Sequence, residues 1–385
     1  MVSTHFSAWS AVAVKITFFG LTLSSSWGNG HATPCRAIVR ALHAMGHTAV
    51  FYEKDAPFYA QRRDLRRPEY CRLELYGEWD DVRDRALADV RDSDVVIHTS
   101  YCPCGAHIVD DAATVEGPLR VFYDLDTPIT LSQLDGDGPG YLRAGQIPGF
   151  DLYLSFTGGD VLRELETRWG ARHARPLYGC VDPDVHARTA PRHEFDSELS
   201  YMGTYAADRQ QKLESLFLEP ARRLPQLQFL LAGPLYPRQW AWPGNVRRIE
   251  HVAPQDHAAL YSSSRITLNI TRGGMARSGW CPSGRFFEAA ACGTPIVSDA
   301  FPGLETFFEP GEEIMVAEGT ADVVSVLCRN DEDLAPMAAR ARQRTLDEHT
   351  GARRAQQLVA YCEEVNIGSS GHRAIEPIAV NQGAQ

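Results

Sequence analysis

Residues 278–299 read SGWCPSGRFFEAAACGTPIVSD, and this stretch decides the fold. A loop containing Pro282 and Ser283 precedes a run of helix-forming residues, which stops at Gly293. A short β-rich run, residues 295–298, follows at once. Serine is a preferred N-cap and glycine a preferred helix terminator, so the pattern predicts one helix and the strand after it. A strand that follows a helix this closely is one unit of a parallel α/β sheet.

The same unit recurs along the rest of the chain. In the first half, the runs that favour strands are residues 14–20, 48–52, 94–99, 119–124 and 151–156. In the second half, they are residues 199–202, 228–232, 246–249, 266–270 and 295–298. Helical patterns separate most of these runs, so the sequence predicts two doubly wound, Rossmann-like α/β domains that bind ligands at the carboxyl ends of their strands.

A polar stretch without periodicity, residues 184–198, is the best candidate for a linker between the two domains. The predicted division of the chain is a flexible leader (1–13), a first domain (14–185), a linker (186–197), a second domain (198–350), a helix expected to pack back on the first domain (351–366) and a flexible tail (367–385).

Composition narrows the function classes. The chain has 385 residues, with 38 basic and 49 acidic side chains and a net charge of −11. A surface this acidic repels phosphate backbones, which argues against general nucleic-acid binding. Nine cysteines without regular spacing are typical of a reduced, cytoplasmic protein, and no apolar run has the length that a membrane span needs.

The helix predicted after Ser283 has features of an anion site. Free N–H groups at a helix N-terminus attract a diphosphate. Glu288 lies about one and a half turns into this helix, within reach of a ribose diol. A plain N-capped helix with a surface glutamate explains the same residues, and the spacing alone leaves both interpretations open.

A resemblance favours the first interpretation. The motif P-S-x-R-x-F-E-A-A-A-C-G-T-P-I-V-S-D, together with residues 303–311, resembles the CgeB-like (spore-maturation-type) glycosyltransferases, which have the GT-B fold. The likeness covers residues 199–317, 26–40, 122–131 and 152–159. It implies two Rossmann-like domains that face a central cleft and a nucleoside-diphosphate sugar (UDP- or GDP-linked) as donor. It also implies an acceptor hydroxyl on a small molecule, natural product or glycan, and no required metal.

In this family the glutamate of the helix binds the donor ribose, a role that carries to Glu288. Many relatives have another glutamate eight residues earlier, contacting the donor sugar, and Trp280 stands there in this chain. Backbone N–H groups in the segment 281–284, which contains Pro282 and Ser283, are then left to contact the diphosphate or the sugar. Arg285 adds positive charge at the donor or braces the helix through a surface salt bridge.

A second donor motif is YMGTYAADRQQK, residues 201–212, in which a strand ends at Gly203 and a helix begins near Arg209 and Lys212. The resemblance implies that these two cations neutralise the diphosphate leaving group. Basic residues are mildly unfavourable at the N-terminus of a helix because they oppose its dipole. Their presence here therefore favours a functional role over the alternative, an ordinary exposed helix start. Arg272 lies just after the strand 266–270, at its carboxyl end, and is predicted to reach the same phosphate or sugar.

The acceptor side is predicted in a glycine-rich loop and at strand ends. The run Gly28-Asn29-Gly30-His31 lacks the G-x-G-x-x-G of dinucleotide-binding proteins and resembles the loop that carries the general base of inverting GT-B enzymes. His31 is therefore the candidate base, although a histidine that merely packs or caps is an equal alternative. Asp126 is the candidate that orients His31, with an Asx-type turn as its alternative. The other predicted acceptor contacts are Asn29, Gly30, Asp124, Thr127, Thr157 and Gly158.

Several questions stay open at this level. His31 favours inversion of the sugar configuration, whereas the second domain resembles relatives that retain it. A nucleotide-sugar epimerase or phosphorylase of similar fold, or a non-catalytic carbohydrate-binding or coat-assembly protein, is an alternative to the transferase. A monomer and a homodimer both fit the composition.

Overall fold

The computed structural model describes residues 13–28, 30–136 and 138–368. Strands of the first half are β1 (Lys15–Gly20), β2 (Thr48–Lys54), β3 (Arg72–Tyr76), β4 (Val95–Thr99), β5 (Leu119–Asp124), β6 (Leu152–Ser155) and β7 (Ala174–Pro176). They form one parallel sheet in the order β3-β2-β1-β4-β5-β6-β7. The helices of this half are α1 (Ala32–Ala44), α2 (Pro57–Ala60), α3 (Trp79–Asp92), α4 (Gly105–Ala113), α5 (Thr127–Leu134) and α6 (Asp160–Thr167).

The second half repeats this architecture. Its strands are β8 (Ser197–Met202), β9 (Phe229–Ala232), β10 (Val246–Ile249), β11 (Ser264–Asn269), β12 (Ile296–Ser298) and β13 (Met315–Val316), in the parallel order β10-β9-β8-β11-β12-β13. Its helices are α7 (Gln210–Leu213), α8 (Glu219–Arg223), α9 (Pro254–Ser263), α10 (Gly273–Ser278), α11 (Gly284–Ala291), α12 (Thr320–Leu327), α13 (Asp331–Glu348) and α14 (Gly351–Gly368). The prediction of two parallel-sheet, Rossmann-like α/β units is confirmed.

The last helix completes the core of the first sheet, although it follows the second sheet in the sequence. Ile38 and Leu42 of α1 are buried in one apolar cluster with Leu358 and Val359 of α14. Burial of side chains of this size contributes about 1.5–3 kcal/mol each. The chain therefore passes twice between the halves, once in each direction.

The two passages run side by side. The N–H of Val181 donates to the carbonyl of His349 at 3.0 Å, and the N–H of Gly351 donates to the carbonyl of Val181 at 2.8 Å. The buried Arg354 donates from Nε to the carbonyl of Tyr178 at 3.0 Å. Hydrogen bonds between the passages fix where the two halves meet.

Each sheet has one point where the strand order reverses, between β1 and β4 and between β8 and β11. Loops diverge at such a point and leave a crevice at the carboxyl ends of the strands. The loops after β1, β5, β8, β9 and β11 line one common cavity. No helix in the described ranges is long and apolar enough to cross a membrane.

Candidate active site

A cavity of about 390 Å³ lies between the two sheets and takes its walls from both halves. The sequence-predicted site residues that line it are Gly30, His31, Asp126, Gly203, Arg209, Arg272, Pro282, Ser283, Arg285 and Glu288. They come from segments far apart in the sequence, so the fold brings the two predicted groups together. We call the face from the second half the donor wall and the face from the first half the acceptor wall.

Helix α11 supplies the centre of the donor wall. Ser283 is its N-cap residue, as predicted, but its side chain makes no capping hydrogen bond, so the first N–H groups of the helix are not satisfied by it. Glu288 is buried on the cavity side, and its Oε2 accepts a hydrogen bond from the Tyr261 hydroxyl at 3.2 Å. A helix N-terminus and a carboxylate thus face the same space, as binding of a diphosphate and a ribose requires.

Three arginines surround that helix N-terminus. Burial lowers the pKa of Arg209, and the nearby charges of Arg285 and Arg272 lower it further. Arg285 donates from Nη1 to Asn269 Oδ1 at 3.0 Å, and its guanidinium lies 5.3 Å from the centre of the Tyr201 ring. The Nε of Arg209 is buried and has no hydrogen-bond partner among the described residues. Cations that repel one another in a cavity are stabilised by a bound anion.

Lys212 is placed differently from the prediction. It pairs with the buried carboxylate of Asp299 and does not line the cavity. Asp299 also accepts hydrogen bonds from the Thr271 N–H at 2.9 Å and the Thr271 hydroxyl at 3.0 Å. The lysine therefore supports the loop after β11 from behind, away from the position predicted for it beside the donor phosphates.

The floor of the donor wall depends on a close approach of two strand ends. Gly233 follows β9 with a φ of 150°, and a Cβ at this position would lie 2.1 Å from the carbonyl oxygen of Gly203. No side chain fits there, so only glycine allows β8 and β9 to end this close together. Pro234, His251 and Val252 border the cavity beside this floor.

Trp280 stands at the position where the resemblance leads us to expect a sugar-binding glutamate. Its carbonyl accepts a hydrogen bond from the Gly158 N–H at 3.0 Å, which joins the two halves of the molecule. Its indole lies against Gly159 and Gly303, where an added Cβ would come within 2.3 Å and 2.5 Å of the ring. The residue packs between the halves and does not line the cavity.

The acceptor wall is built around His31, which precedes helix α1. Its ring stacks on Tyr101, with centroids 5.5 Å apart and an interplanar angle of 21°. The Tyr101 hydroxyl donates to Asp126 Oδ2 at 2.7 Å, while Asp126 Oδ1 is buried without a hydrogen-bond partner in the described structure. Burial lowers the pKa of His31, and the charge of Asp126 opposes that shift. A neutral imidazole and a carboxylate oxygen therefore face one cavity.

Four predicted acceptor contacts lie behind that wall, outside the set of residues that line the cavity. Asp124 is fully buried and accepts hydrogen bonds from the hydroxyls of Tyr153 and Thr130 at 2.7 and 2.8 Å, and burial raises its pKa to about 6. The others are Thr127, which bonds to Ser155 at 2.8 Å, the buried Thr157, and Gly158, which bonds to Trp280. The sequence pattern predicted these residues at strand ends facing the acceptor. In the structure, their side chains or backbone groups make hydrogen bonds to other parts of the protein. Asn29 lies outside the described residues.

Sequence reasoning missed three residues of the site. Tyr101 has a φ of 65°, an uncommon conformation for a bulky residue that marks a position held by its surroundings. His251 and His257 line the donor wall beside Val252. Neither histidine belongs to a recognisable motif; their position after β10 was the available signal, because ligands collect at the carboxyl ends of strands.

Comparisons with known proteins agree with this geometry. Residues 209–360 match the sequence family described as glycosyl transferase-like, and no curated protein matches the chain. Sucrose-phosphate synthase from Thermosynechococcus elongatus superposes with a TM-score of 0.63 at 12% identity, covering 92% of this chain and 100% of that chain. Anabaena HepE, in complex with UDP and glucose, has a TM-score of 0.63 at 12% identity, covering 91% and 100%. An alpha-glucosyltransferase in complex with UDP and a 13-mer DNA has a TM-score of 0.62 at 12% identity, covering 91% and 100%.

These similarities confirm the coarser predictions. The fold is GT-B, with two Rossmann-like units around a cleft. The family match falls on the half that contributes Arg209, Arg285 and Glu288, so the chain carries a glycosyltransferase domain and is an enzyme of that class. Identities near 12% support the fold and go no further toward a particular substrate.

Proposed function

We propose that this protein transfers a sugar from a UDP-sugar to an acceptor hydroxyl, as a CgeB-like transferase acting in the cytoplasm. One observation carries the proposal: the same cavity presents guanidinium groups and a helix N-terminus on one wall and a neutral imidazole with a carboxylate on the other. The first set suits a diphosphate, and the second suits removal of a proton from an alcohol.

The donor lies along the second sheet. Arg209 and Arg285 neutralise the diphosphate, and the N–H groups of α11 add hydrogen bonds to it. The Glu288 carboxylate is buried beside the cavity, and its closest basic partner among the described residues, His257 Nδ1, lies 3.9 Å away. The carboxylate therefore accepts hydrogen bonds from the ribose diol. The uracil then reaches the edges of Gly233 and Val252, at the ends of β9 and β10.

Transfer is a displacement at the anomeric carbon. The acceptor oxygen forms a bond to this carbon while the bond to the diphosphate oxygen breaks, and the acceptor proton passes to His31. Asp126 stabilises the imidazolium that forms, since its negative charge favours the protonated ring. The leaving diphosphate gains negative charge, which Arg209 and Arg285 offset. Guanidinium groups supply this charge, so the proposed reaction includes no metal.

We propose a small molecule, natural product or glycan as the acceptor. One structural neighbour was crystallised with DNA, but the net charge of −11 in the present chain disfavours approach of a phosphate backbone. The cavity volume of about 390 Å³ is in the range of small-molecule sites.

A thermal-shift panel of UDP, GDP and their sugars tests the donor assignment. A nucleotide present at about 100 times its Kd stabilises a protein by about 2.7 kcal/mol, so UDP and UDP-sugars are expected to raise Tm clearly. Failure of every nucleotide to raise Tm would overturn the proposal. Incubation with the donor alone is the matched control, since appearance of an isomerised sugar would instead indicate an epimerase.

A further inference from the structure

We propose that a zinc-type metal ion binds between His186, His257 and Glu288 and excludes the donor nucleotide. One ring nitrogen of each histidine and a carboxylate oxygen of the glutamate lie within 4.8 Å of one another. Two imidazoles and a carboxylate are a common zinc ligand set, with a fourth position left for water. The exclusion of nucleotide rests on the function proposed above; the metal site does not.

The hydrogen bond of His257 orients the ring for metal binding. Its Nε2 lies 3.3 Å from the carbonyl oxygen of Val252, and a carbonyl only accepts, so Nε2 is the donor. In the neutral ring, Nδ1 then carries a lone pair, and it faces Glu288 Oε2 at 3.9 Å. This Nδ1 is buried and has no hydrogen-bond partner within the described part of the chain. A ring nitrogen held to a backbone carbonyl, with the other nitrogen free to ligate, is the usual arrangement of a metal-binding histidine.

His186 supplies the second imidazole from the segment that connects the two sheets. Its side chain is 3% exposed, and its Nδ1 is also buried without a partner among the described residues. The backbone N–H of His186 donates to the carbonyl of Asp182 at 2.8 Å, a turn that directs the residue toward the second half. A buried polar nitrogen without a partner is unfavourable, and a metal ion ligated by both rings would satisfy the two nitrogens at once.

The spacing is compatible with ligation after the three groups approach one another by up to about 1.5 Å, since their ligand atoms lie within 4.8 Å. Ligand atoms at about 2.0–2.1 Å from a tetrahedral zinc ion are separated by about 3.3–3.5 Å. The separation between His257 Nδ1 and Glu288 Oε2 is 3.9 Å, so the two groups need to approach by about half an ångström. Two acceptor atoms that face each other gain from any cation between them, and Glu288 Oε2 can keep its hydrogen bond from the Tyr261 hydroxyl on its other lone pair.

Glu288 belongs both to this cluster and to the proposed ribose site. A carboxylate that ligates the metal through Oε2 is drawn toward the two imidazoles, which leaves only Oε1 for the ribose diol and moves it from its place on the donor wall. We therefore expect bound zinc to compete with bound UDP. Since His186 lies outside the cavity wall, it contributes to the metal site without contacting the nucleotide.

Metal titration of the full chain tests the site without reference to activity. Co²⁺ and Zn²⁺ are titrated into wild type, His186→Gln, His257→Gln and the control His193→Gln, whose side chain is fully exposed. We expect one equivalent to bind in wild type and in the control, and affinity to fall at least tenfold in the other two variants. Thermal melting in chelator shows whether each variant is folded.

The Co²⁺ spectrum identifies the ligands. Nitrogen and oxygen ligands give a visible spectrum without the intense near-ultraviolet band of a thiolate. That distinction is needed because the chain has nine cysteines. A thiolate band, no binding at all, or unchanged affinity in both histidine variants would overturn the metal site.

UDP titrations with and without Zn²⁺, at a zinc concentration that fills the wild-type site and leaves the weakened site of His186→Gln largely empty, test the exclusion separately. Zinc is expected to raise the apparent Kd for UDP at least tenfold in wild type and to leave it unchanged in His186→Gln. An equal Kd with and without zinc in wild type would overturn the exclusion. Failure of UDP to bind in chelator would instead contradict the proposed function, and the metal titration would be unaffected by that result.

Discussion

The donor wall and the acceptor wall differ in how their residues are assembled. Ser283, Arg285 and Glu288 lie within one loop and helix, so their spacing is fixed by helix geometry alone. His31, Tyr101 and Asp126 follow three different strands, β1, β4 and β5, and meet only when these strands are adjacent in the sheet. The centre of the donor wall, helix α11 with its N-cap, is therefore a local structure, whereas the acceptor wall is a product of the topology.

The two walls also differ in charge. The donor wall concentrates guanidinium groups, and burial lowers the pKa of Arg209. The acceptor wall holds an imidazole that burial keeps neutral and a carboxylate with one unpartnered oxygen. This difference predicts that donor-wall variants weaken binding of the nucleotide, whereas acceptor-wall variants change turnover with the nucleotide still bound.

The largest expected effect is that of His31→Ala. Loss of a general base reduces kcat by about 10²–10⁴-fold. The Kd for UDP should stay within about twofold of wild type, because the side chain lies on the acceptor wall. Steady-state transfer assays and calorimetric titration with UDP measure the two quantities.

The control for that variant is His43→Ala, an exposed position on the same helix α1. It should behave like wild type in both assays. Turnover of His31→Ala at the wild-type rate would contradict the proposed base, and a parallel loss of UDP binding would show that the two walls do not act separately.

Arg209→Met is expected to lower kcat/KM by about 10²–10³-fold, the range found when one donor to a developing negative charge is removed. The affinity for UDP should fall as well, because the diphosphate is charged in the bound donor. The comparison is Lys212→Met, since this lysine pairs with Asp299 outside the cavity. Kinetics and thermal unfolding are measured for both variants.

Lys212→Met should act mainly on stability. Removal of the lysine leaves the buried carboxylate of Asp299 without its cation, although two hydrogen bonds from Thr271 remain. The lysine is 39% exposed, so solvent already screens the pair and the expected loss is about 1 kcal/mol. A large loss of kcat/KM at unchanged Tm would restore the phosphate role that the sequence suggested.

These two cations show what the sequence predicts and what it does not. Arg209 and Lys212 are three residues apart in one motif, and local rules treat them alike. The partner of Lys212 lies 87 residues later in the chain, and only the packing of β11 against β12 brings it near. Tyr101 was missed for the same reason, because its role depends on a φ of 65° and on contacts with two other strand ends. The two parallel-sheet units and the helix of Glu288 were predicted correctly, since each rests on short-range periodicity, whereas the sheet-edge strands β3, β7 and β13 were not predicted.

Glu288→Ala should weaken UDP binding by about 10–100-fold, the equivalent of about 1.5–3 kcal/mol for a hydrogen bond to a charged group. Saturating donor should then restore much of kcat, because the carboxylate lies on the ribose side of the donor wall. The matched control is Glu305→Ala, an exposed glutamate of the same half. Unchanged affinity for UDP in Glu288→Ala would remove the ribose assignment.

The smallest expected change is a shift in pH dependence in Asp126→Asn. Burial lowers the pKa of His31 below its ordinary value of 6.5, and the charge of Asp126 raises it in part. Only the neutral ring accepts a proton, so activity is present above this pKa and is lost as pH falls through it. Removing the charge of Asp126 lowers the pKa of His31 further, so the acid limb of log kcat/KM should move to lower pH. The plateau value of kcat/KM should fall as well, because the imidazolium that forms during transfer loses its stabilising charge. An acid limb that stays in place would mean that the ionisation controlling turnover belongs to a group other than His31. The acceptor wall would then lack the electrostatic coupling between Asp126 and His31 that distinguishes it from the donor wall.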